Sequence, residues 1–258
     1  MPQFSIDDAK RLVGPIFFIL SVLFAAIGAT PGGFANLNPN QEGGSSLGRA
    51  WTSGLSSAPA TNAAPVTVRQ GERIMMLYPG TRKLSMCTLG FIDHEKNIGY
   101  TSAHCIPGAD ERTYTPGGAE VTNANNTVIG RAYPSQRYIE NGQHTADDIA
   151  IIKFSDNVAL GENAYSGNTI AQVSPDIEAD ICRYGATSRT LTCTPTAEHY
   201  MGEKVIGFGG KTTTHGDSGS AIYIDGVGVV GLYAGTTTYN DQRVSVGPLL
   251  YGYDAEFI

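Results

Sequence analysis

From Arg73 onward, short apolar runs alternate with turn residues along the chain. The runs are about four to eight residues long, rich in β-branched side chains and separated by Gly, Pro, Asn or Asp, which is typical of strands. No long stretch after the N-terminal leader has a helical period, although we predict one short helical turn at 248–251. The pattern predicts an all-β protein with strands that include 74–78, 87–92, 97–102, 149–154, 177–184, 204–208, 221–224 and 227–233.

The N-terminal region has a different pattern. Residues 13–29 form an uncharged apolar run of 17 residues behind Lys10 and Arg11, between a signal-peptide core and a spanning helix in length. We predict a signal peptide over 1–29, with an uncleaved membrane anchor, a helix through 13–29, as the alternative. Residues 30–65 are rich in Gly, Ser, Ala, Asn and Pro, which predicts a flexible linker or short propeptide before a domain at 66–258.

Composition excludes some classes of function. The 258-residue chain is 41% hydrophobic and has a net charge of −7 without a basic stripe, which argues against a nucleic-acid partner. The four cysteines include no Cys-x-x-Cys pair, so they do not indicate a zinc site, and by themselves they leave three pairings open. Since no nucleotide loop or metal motif is present either, we predict no cofactor and no metal.

Three short motifs carry the candidate chemistry. They are Thr101-Ser102-Ala103-His104-Cys105, then Asp148-Ile149-Ala150-Ile151-Ile152, and last Gly216-Asp217-Ser218-Gly219-Ser220. Together they give His, Asp and Ser in the chain order of the chymotrypsin-type triad, whereas unrelated folds reach the same geometry in other orders. The separations, 148 − 104 = 44 and 218 − 148 = 70 positions, suit that fold.

The chemistry of a triad explains why each of these residue types is needed. Serine is a weak nucleophile until a base takes its proton, so Ser218 needs His104, and His104 needs a carboxylate to orient its ring. Asp148 directly precedes the strand and is the preferred carboxylate, with Asp147 as the alternative. The backbone N–H groups of Gly216 and Ser218 are the candidate donors to an oxyanion.

Residues 66–258 resemble the bacterial chymotrypsin-fold serine proteases, and are most similar to the streptogrisin and α-lytic protease group. The resemblance rests on residues 87–91, on the histidine motif 101–105, and on residues 182–188 closed by Cys193. It implies two antiparallel six-stranded Greek-key β-barrels with the triad in the cleft between them. It also implies a secreted, monomeric serine endopeptidase that acts on proteins or peptides, or a membrane-anchored one with its protease domain outside.

The resemblance also implies roles for further residues. It pairs Cys87 with Cys105 and Cys182 with Cys193, and it pairs a buried Asp217 with Arg183. It places the specificity pocket at Thr212, Thr213, Thr214, His215, Tyr233, Ala234, Gly235 and Thr236. Because these two segments contain no acidic residue and, His215 apart, no basic one, we predict cleavage after small or medium neutral residues.

The chain departs from the family pattern at several positions. Ser220 stands where most members have Gly, and Ala234 stands where a Ser hydroxyl usually supports the triad aspartate. The disulfide that many relatives carry beside the specificity pocket is absent. Ala234 and Ser220 keep a catalytically weak binding module open as an alternative, and an acyl or ester hydrolase that uses the same triad is a second one. The lack of a Gly-x-Ser-x-Gly elbow disfavours an α/β-hydrolase.

Overall fold

A computed structural model describes most of the chain from residue 65 onward, and these residues belong to one compact unit, Ala60–Ile258. The described ranges are 65–77, 84–109, 114, 116–141, 144–172, 179–194, 199–201, 205–209, 213–239 and 241–258. The predicted leader 1–29, the linker up to residue 64 and Thr212 lie outside them. No helix within these ranges is both long and apolar enough to cross a membrane.

The described residues are mostly β-strand with almost no helix, as the sequence pattern predicts. The strands of the first half are β1 (Val66–Val68), β2 (Arg73–Leu77), β3 (Leu84–Thr88), β4 (Phe91–Asp93), β5 (Ile98–Thr101), β6 (Ala119–Asn123), β7 (Val128–Pro134), β8 (Ala150–Phe154) and β9 (Val158–Leu160). Seven of them form one sheet in the order β3-β2-β6-β7-β8-β5-β4, and β1 pairs with β9. The edge strands β3 and β4 are separated only by Leu89 and Gly90.

The second half contains two four-stranded sheets. Its strands are β10 (Ile181–Tyr184), β11 (Leu191–Thr194), β12 (His199–Met201), β13 (Val205–Gly209), β14 (Ala221–Ile224), β15 (Gly228–Leu232), β16 (Gly235–Tyr239) and β17 (Gln242–Pro248). One sheet has the order β11-β10-β14-β15 and the other β12-β13-β17-β16. A single bridge between Gly231 and Leu249 joins β15 to the residue after β17.

Regular helix within the described ranges is limited to α1 (Gln136–Glu140) and two 3₁₀ turns, Ala103–Cys105 and Thr145–Asp147. The predicted helical turn at 248–251 is wrong. Pro248 ends β17, Leu249 bridges to Gly231, and the N–H of Leu250 donates to the carbonyl of Val230 at 3.0 Å. Pairing with β15 satisfies this backbone, so the local apolar pattern does not decide its conformation.

The predicted strand 87–92 is interrupted because two backbones meet there. Gly90 lies between β3 and β4, and its N–H donates to the carbonyl of Tyr100 at 2.8 Å. A Cβ at this position would lie 2.1 Å from the carbonyl oxygen of Gly219. Only glycine allows so close an approach.

Buried apolar residues form three clusters. One fills the first half around residues such as Ile74, Leu89 and Ile152. A smaller one fills part of the second half around Ile222 and Val230. The remaining cluster combines residues of both halves, with Phe91, Tyr100, Ile149 and Ile151 packed alongside Cys182, Ala221, Tyr223, Val229, Leu232 and Leu250. The two halves therefore share a continuous apolar contact.

Candidate active site

His104 and Asp148 meet at one edge of the first sheet. Strands β5 and β8 are antiparallel with Thr101 opposite Ala150, so the end of β5 lies beside the start of β8. The Nδ1 atom of His104 lies 2.6 Å from Oδ2 of Asp148, and the backbone N–H of His104 donates to Oδ1 at 2.8 Å. The carboxylate favours the tautomer that carries its proton on Nδ1, which leaves Nε2 as a proton acceptor.

Asp147, the alternative carboxylate, has other partners. It is buried, accepts a hydrogen bond from Nδ2 of Asn141 at 3.1 Å and lies 3.4 Å from the hydroxyl of Tyr253. Burial raises the pKa of Tyr253 to about 12, and the charge of Asp147 acts in the same direction. Tyr253 also contacts the Ser135 hydroxyl. The structure thus places Asp148, and not Asp147, at the imidazole.

The loop that carries Ser218 is bonded to the first half of the protein through Thr88. The Thr88 N–H donates to the Ser218 carbonyl at 2.8 Å, and the Thr88 hydroxyl donates to the Gly216 carbonyl at 2.8 Å. The Ala186 N–H in turn donates to the Thr88 hydroxyl at 3.2 Å. One buried residue of β3 therefore fixes two carbonyls of this loop.

The same loop also lies against the strand that leads to His104. A Cβ on Gly219 would lie 2.0 Å from Oγ1 of Thr101 and 3.0 Å from the backbone nitrogen of Ser102. The Gly219 N–H donates to the Tyr233 carbonyl at 2.8 Å, and the Ser102 hydroxyl donates to that carbonyl at 3.1 Å. The residue after Ser218 thus contacts the chain two to three positions before His104.

The two N–H groups assigned to an oxyanion are unused within the described part of the chain. Gly216 has a φ of 98°, which favours glycine, and a Cβ there would lie 2.3 Å from Oγ1 of Thr187. The intervening Asp217 N–H donates to the Thr214 carbonyl at 3.1 Å. No hydrogen bond of the Gly216 or Ser218 N–H group occurs among the described residues, so both donors remain available.

Asp217 and Arg183 form a fully buried ion pair. Their side chains are 0% exposed, and Nη1 of Arg183 lies 3.5 Å from Oδ2 of Asp217. The carboxylate also accepts backbone N–H groups of Thr187 at 3.1 Å, Ser188 at 2.9 Å and Thr214 at 3.1 Å. The guanidinium carbon lies 4.5 Å from the ring centroid of Tyr233. A buried charge needs such partners to offset its desolvation.

Both disulfides join segments of the candidate site. Cys87–Cys105 links the residue before Thr88 to the residue after His104. Cys182–Cys193 joins two residues that face each other across β10 and β11, beside Arg183. The structure contains no other described cysteine, and both bridges have the pairing that the resemblance implies.

The residues assigned to the specificity pocket are only partly brought together. The side chain of Thr213 hydrogen-bonds the Tyr233 hydroxyl, whose pKa is raised mainly by burial. Thr214 and His215 are exposed, and Ala234, Gly235 and Thr236 are half-buried. The Ala234 N–H donates to the Val246 carbonyl at 2.9 Å, so its backbone is committed to β17.

Sequence reasoning missed four residues near the site: Thr88, Asn141, Tyr253 and Arg243. Of these four, Arg243 adds a charged group beside a residue assigned to the specificity pocket. Its Nε and Nη2 donate to Oγ1 of Thr236 at 3.2 and 3.1 Å. It lies seven positions from Thr236 in the chain, on the strand that pairs with β16. Only the strand register could have revealed it, and no motif marks these positions.

Comparison with known proteins gives a fold-level likeness. No protein-family model matches the chain, and no curated protein sequence matches it. Among solved structures, a Glu endopeptidase in complex with MPD is 20% identical with a TM-score of 0.47, over 70% of this chain and 86% of that one. A Nocardiopsis protease, NAPase, is 16% identical with a TM-score of 0.45, over 72% and 94%. Protease Anisep from Arthrobacter nicotinovorans is 14% identical with a TM-score of 0.46, over 72% and 92%.

Those neighbours are proteases, but likenesses this distant do not transfer an activity. The functional proposal therefore depends on the residues of this chain and their contacts.

Proposed function

We propose that this chain is a serine endopeptidase of the chymotrypsin type, with His104, Asp148 and Ser218 as its catalytic triad. The observation that carries the proposal is the two-point hydrogen bonding between His104 and Asp148, at 2.6 and 2.8 Å. The Ser218 loop supports it, because this loop is bonded to Thr88 and lies against Thr101 and Ser102. Membership of the streptogrisin and α-lytic protease group belongs to the same proposal.

The strand order supports a two-barrel architecture. The seven-stranded sheet has β3 and β4 at its opposite edges, yet these strands are joined by only two residues. A sheet whose edge strands run into each other closes into a barrel. In the second half, the bridge between Gly231 of β15 and Leu249 after β17 links the two four-stranded sheets.

The proposed mechanism assigns one role to each member of the triad. The Oγ of Ser218 attacks the peptide carbonyl while Nε2 of His104 takes its proton, and Asp148 stabilises the resulting imidazolium. The N–H groups of Gly216 and Ser218 bind the oxyanion of the tetrahedral intermediate. His104 then protonates the leaving amine, and a water activated by the same imidazole hydrolyses the acyl-enzyme.

Export of the protein is part of the proposal. Disulfides persist in oxidising compartments, and this chain has two of them beside its candidate site. The apolar leader within 1–29 gives a route across a membrane, with cleavage releasing the enzyme or retention of 13–29 anchoring it. Proteins or peptides would be its substrates, and it would act as a monomer without a cofactor.

The lack of a hydroxyl at Ala234 weakens the proposed triad less than the departure from the family pattern suggests. Ala234 has no hydroxyl to offer to Asp148, but both oxygens of Asp148 already accept hydrogen bonds from His104. The carboxylate is therefore held by the residue that it orients. This contact favours an active enzyme over a binding module.

Labelling and hydrolysis by the full chain test the proposal. We expect a fluorophosphonate probe to label the protein and casein to be cleaved. The variant Ser218→Ala should lose both properties, with kcat lower by about 10⁶-fold. Ser220→Ala is the matched control, because its buried hydroxyl makes no hydrogen bond among the described residues.

Each other outcome selects an alternative. Labelling with ester turnover but no proteolysis would indicate an acyl or ester hydrolase. Absence of both labelling and turnover would indicate a binding module. Full activity of Ser218→Ala would show that the nucleophile is wrongly assigned.

A further inference from the structure

The register of β16 and β17 brings together residues that are apart in the chain. The strands are antiparallel, with Thr236 opposite Ser245 and Thr238 opposite Arg243. Residues directly opposite each other share a face of the sheet, and so do alternate residues of one strand. Thr236, Arg243 and Ser245 therefore lie on one face, which we call the Arg243 face.

Arg243 brings a positive charge to this face. Its Nε and Nη2 both donate to the neutral hydroxyl of Thr236, and its side chain is exposed. Arg243 has no carboxylate partner among the described residues. A guanidinium has five donors in a planar fork, so this one keeps donors free for a planar anion.

The face beside Arg243 adds hydroxyl donors, and its other described members, Thr236, Thr238 and Ser245, are not acidic. Ser245 is fully buried, and its hydroxyl has no hydrogen-bond partner among the described residues. Burial raises the pKa of Tyr233, and the charge of Arg243 acts weakly in the opposite direction. The buried Asp217 is already engaged by Arg183 and three backbone N–H groups.

We propose that the Arg243 face selects an acidic side chain, Glu or Asp, in the residue before the cleaved bond. The inference rests on the proposed endopeptidase function and names its substrate class. A substrate carboxylate would accept charge-assisted hydrogen bonds from the fork of Arg243, and the hydroxyls of Thr236 and Ser245 would supply further donors. A Lys or Arg side chain would be repelled, and a neutral one would leave the guanidinium without a counter-charge.

This inference replaces the sequence-based prediction of a neutral preference. That prediction considered only residues 212–214 and 233–236, which contain no basic residue. Arg243 lies on β17 and contacts Thr236 of β16 diagonally, as long side chains do across antiparallel strands.

Peptides that differ at a single position test the inference. The full chain would be assayed with peptides that carry Glu, Gln, Ala, Leu or Lys before the scissile bond. We expect kcat/KM for Glu to exceed that for its isostere Gln by about tenfold or more, since hydrogen bonds to charged groups are the stronger ones. Added salt should reduce this ratio, because an exposed charge is screened.

Variants assign the preference to Arg243. Arg243→Gln should bring the Glu-to-Gln ratio close to one, through a lower kcat/KM for the Glu peptide. Arg243→Lys should keep part of the ratio, and Ser245→Ala should lower it a few-fold. Arg69→Gln is the matched control, because it removes another exposed arginine whose partner is Glu72, and the ratio should not change.

The outcomes separate this inference from the function on which it rests. Labelling by the fluorophosphonate together with faster cleavage after Ala or Leu than after Glu would overturn the acidic preference and leave the endopeptidase in place. A Glu preference that persists in Arg243→Gln would overturn the role of Arg243. Absence of labelling and of cleavage of any peptide would overturn the endopeptidase function, and this inference with it.

Discussion

The His104–Asp148 pair and the Ser218 loop are held in place in different ways. The pair sits where two neighbouring strands, β5 and β8, meet, and two hydrogen bonds join His104 to Asp148 there. The loop depends on a buried ion pair, on the backbone of Tyr233 and on Thr88 from the other half. Local strand pairing thus positions the candidate base and its carboxylate, and contacts across the fold position the candidate nucleophile.

The largest effect tests the first of these regions. Asp148→Asn should lower kcat by about 10⁴-fold, because an amide no longer selects the tautomer that leaves Nε2 basic. Asp147→Asn is its matched control, one residue away and equally buried but bonded to Asn141 and Tyr253. We expect that control to keep kcat within about tenfold of the wild type. Equal losses of kcat in the two variants would mean that Asp148 has no role at His104 that Asp147 lacks.

A smaller effect, on stability, tests the second region. Arg183→Met should lower the free energy of unfolding by about 3–5 kcal/mol, because it leaves Asp217 as a buried charge without a cation. Chemical denaturation would measure it, and Arg131→Met, which removes a half-buried arginine bonded to the Gly117 and Gly118 carbonyls, serves as the control. Fluorophosphonate labelling of Ser218 should fall along with stability. A loss of less than about 1 kcal/mol would contradict the dependence of the loop on this ion pair.

The smallest effect concerns alkaline stability near the first region. The pKa of Tyr253 is raised to about 12 in the folded protein, while an unfolded tyrosine titrates at its ordinary pKa of 10.0. Between these values the unfolded chain releases the proton and the folded chain keeps it, so stability falls as pH rises from about 10 to about 12. Tyr253→Phe should flatten this fall, measured as the free energy of unfolding against pH. An unchanged slope would place Tyr253 outside the buried network of Asp147.

How much could be predicted from the sequence follows the same division. The short apolar runs predicted the all-β class, and motifs contiguous in sequence predicted His104 and Asp148. Both signals are local, because short-range patterns determine strands and the turns beside them. The turn at 248–251 was wrong, since pairing with β15 decided it, and α1 was missed because five residues carry too little periodicity. Thr88 and Tyr253 contact residues far away in the chain, and Arg243 reaches Thr236 through the register of β16 and β17. A single sequence reveals neither kind of contact.

The close approach of Gly90 to Gly219 restricts the substitutions that the protein tolerates at residue 90. The two positions are far apart in the chain, yet a methyl group on the first would press on the carbonyl that follows the candidate nucleophile. A substitution at residue 90 would therefore displace the Ser218 loop without changing any side chain of the candidate triad. In a screen of all single substitutions, we expect residue 90 to tolerate as little change as the nucleophile's own neighbours, although it carries no side chain.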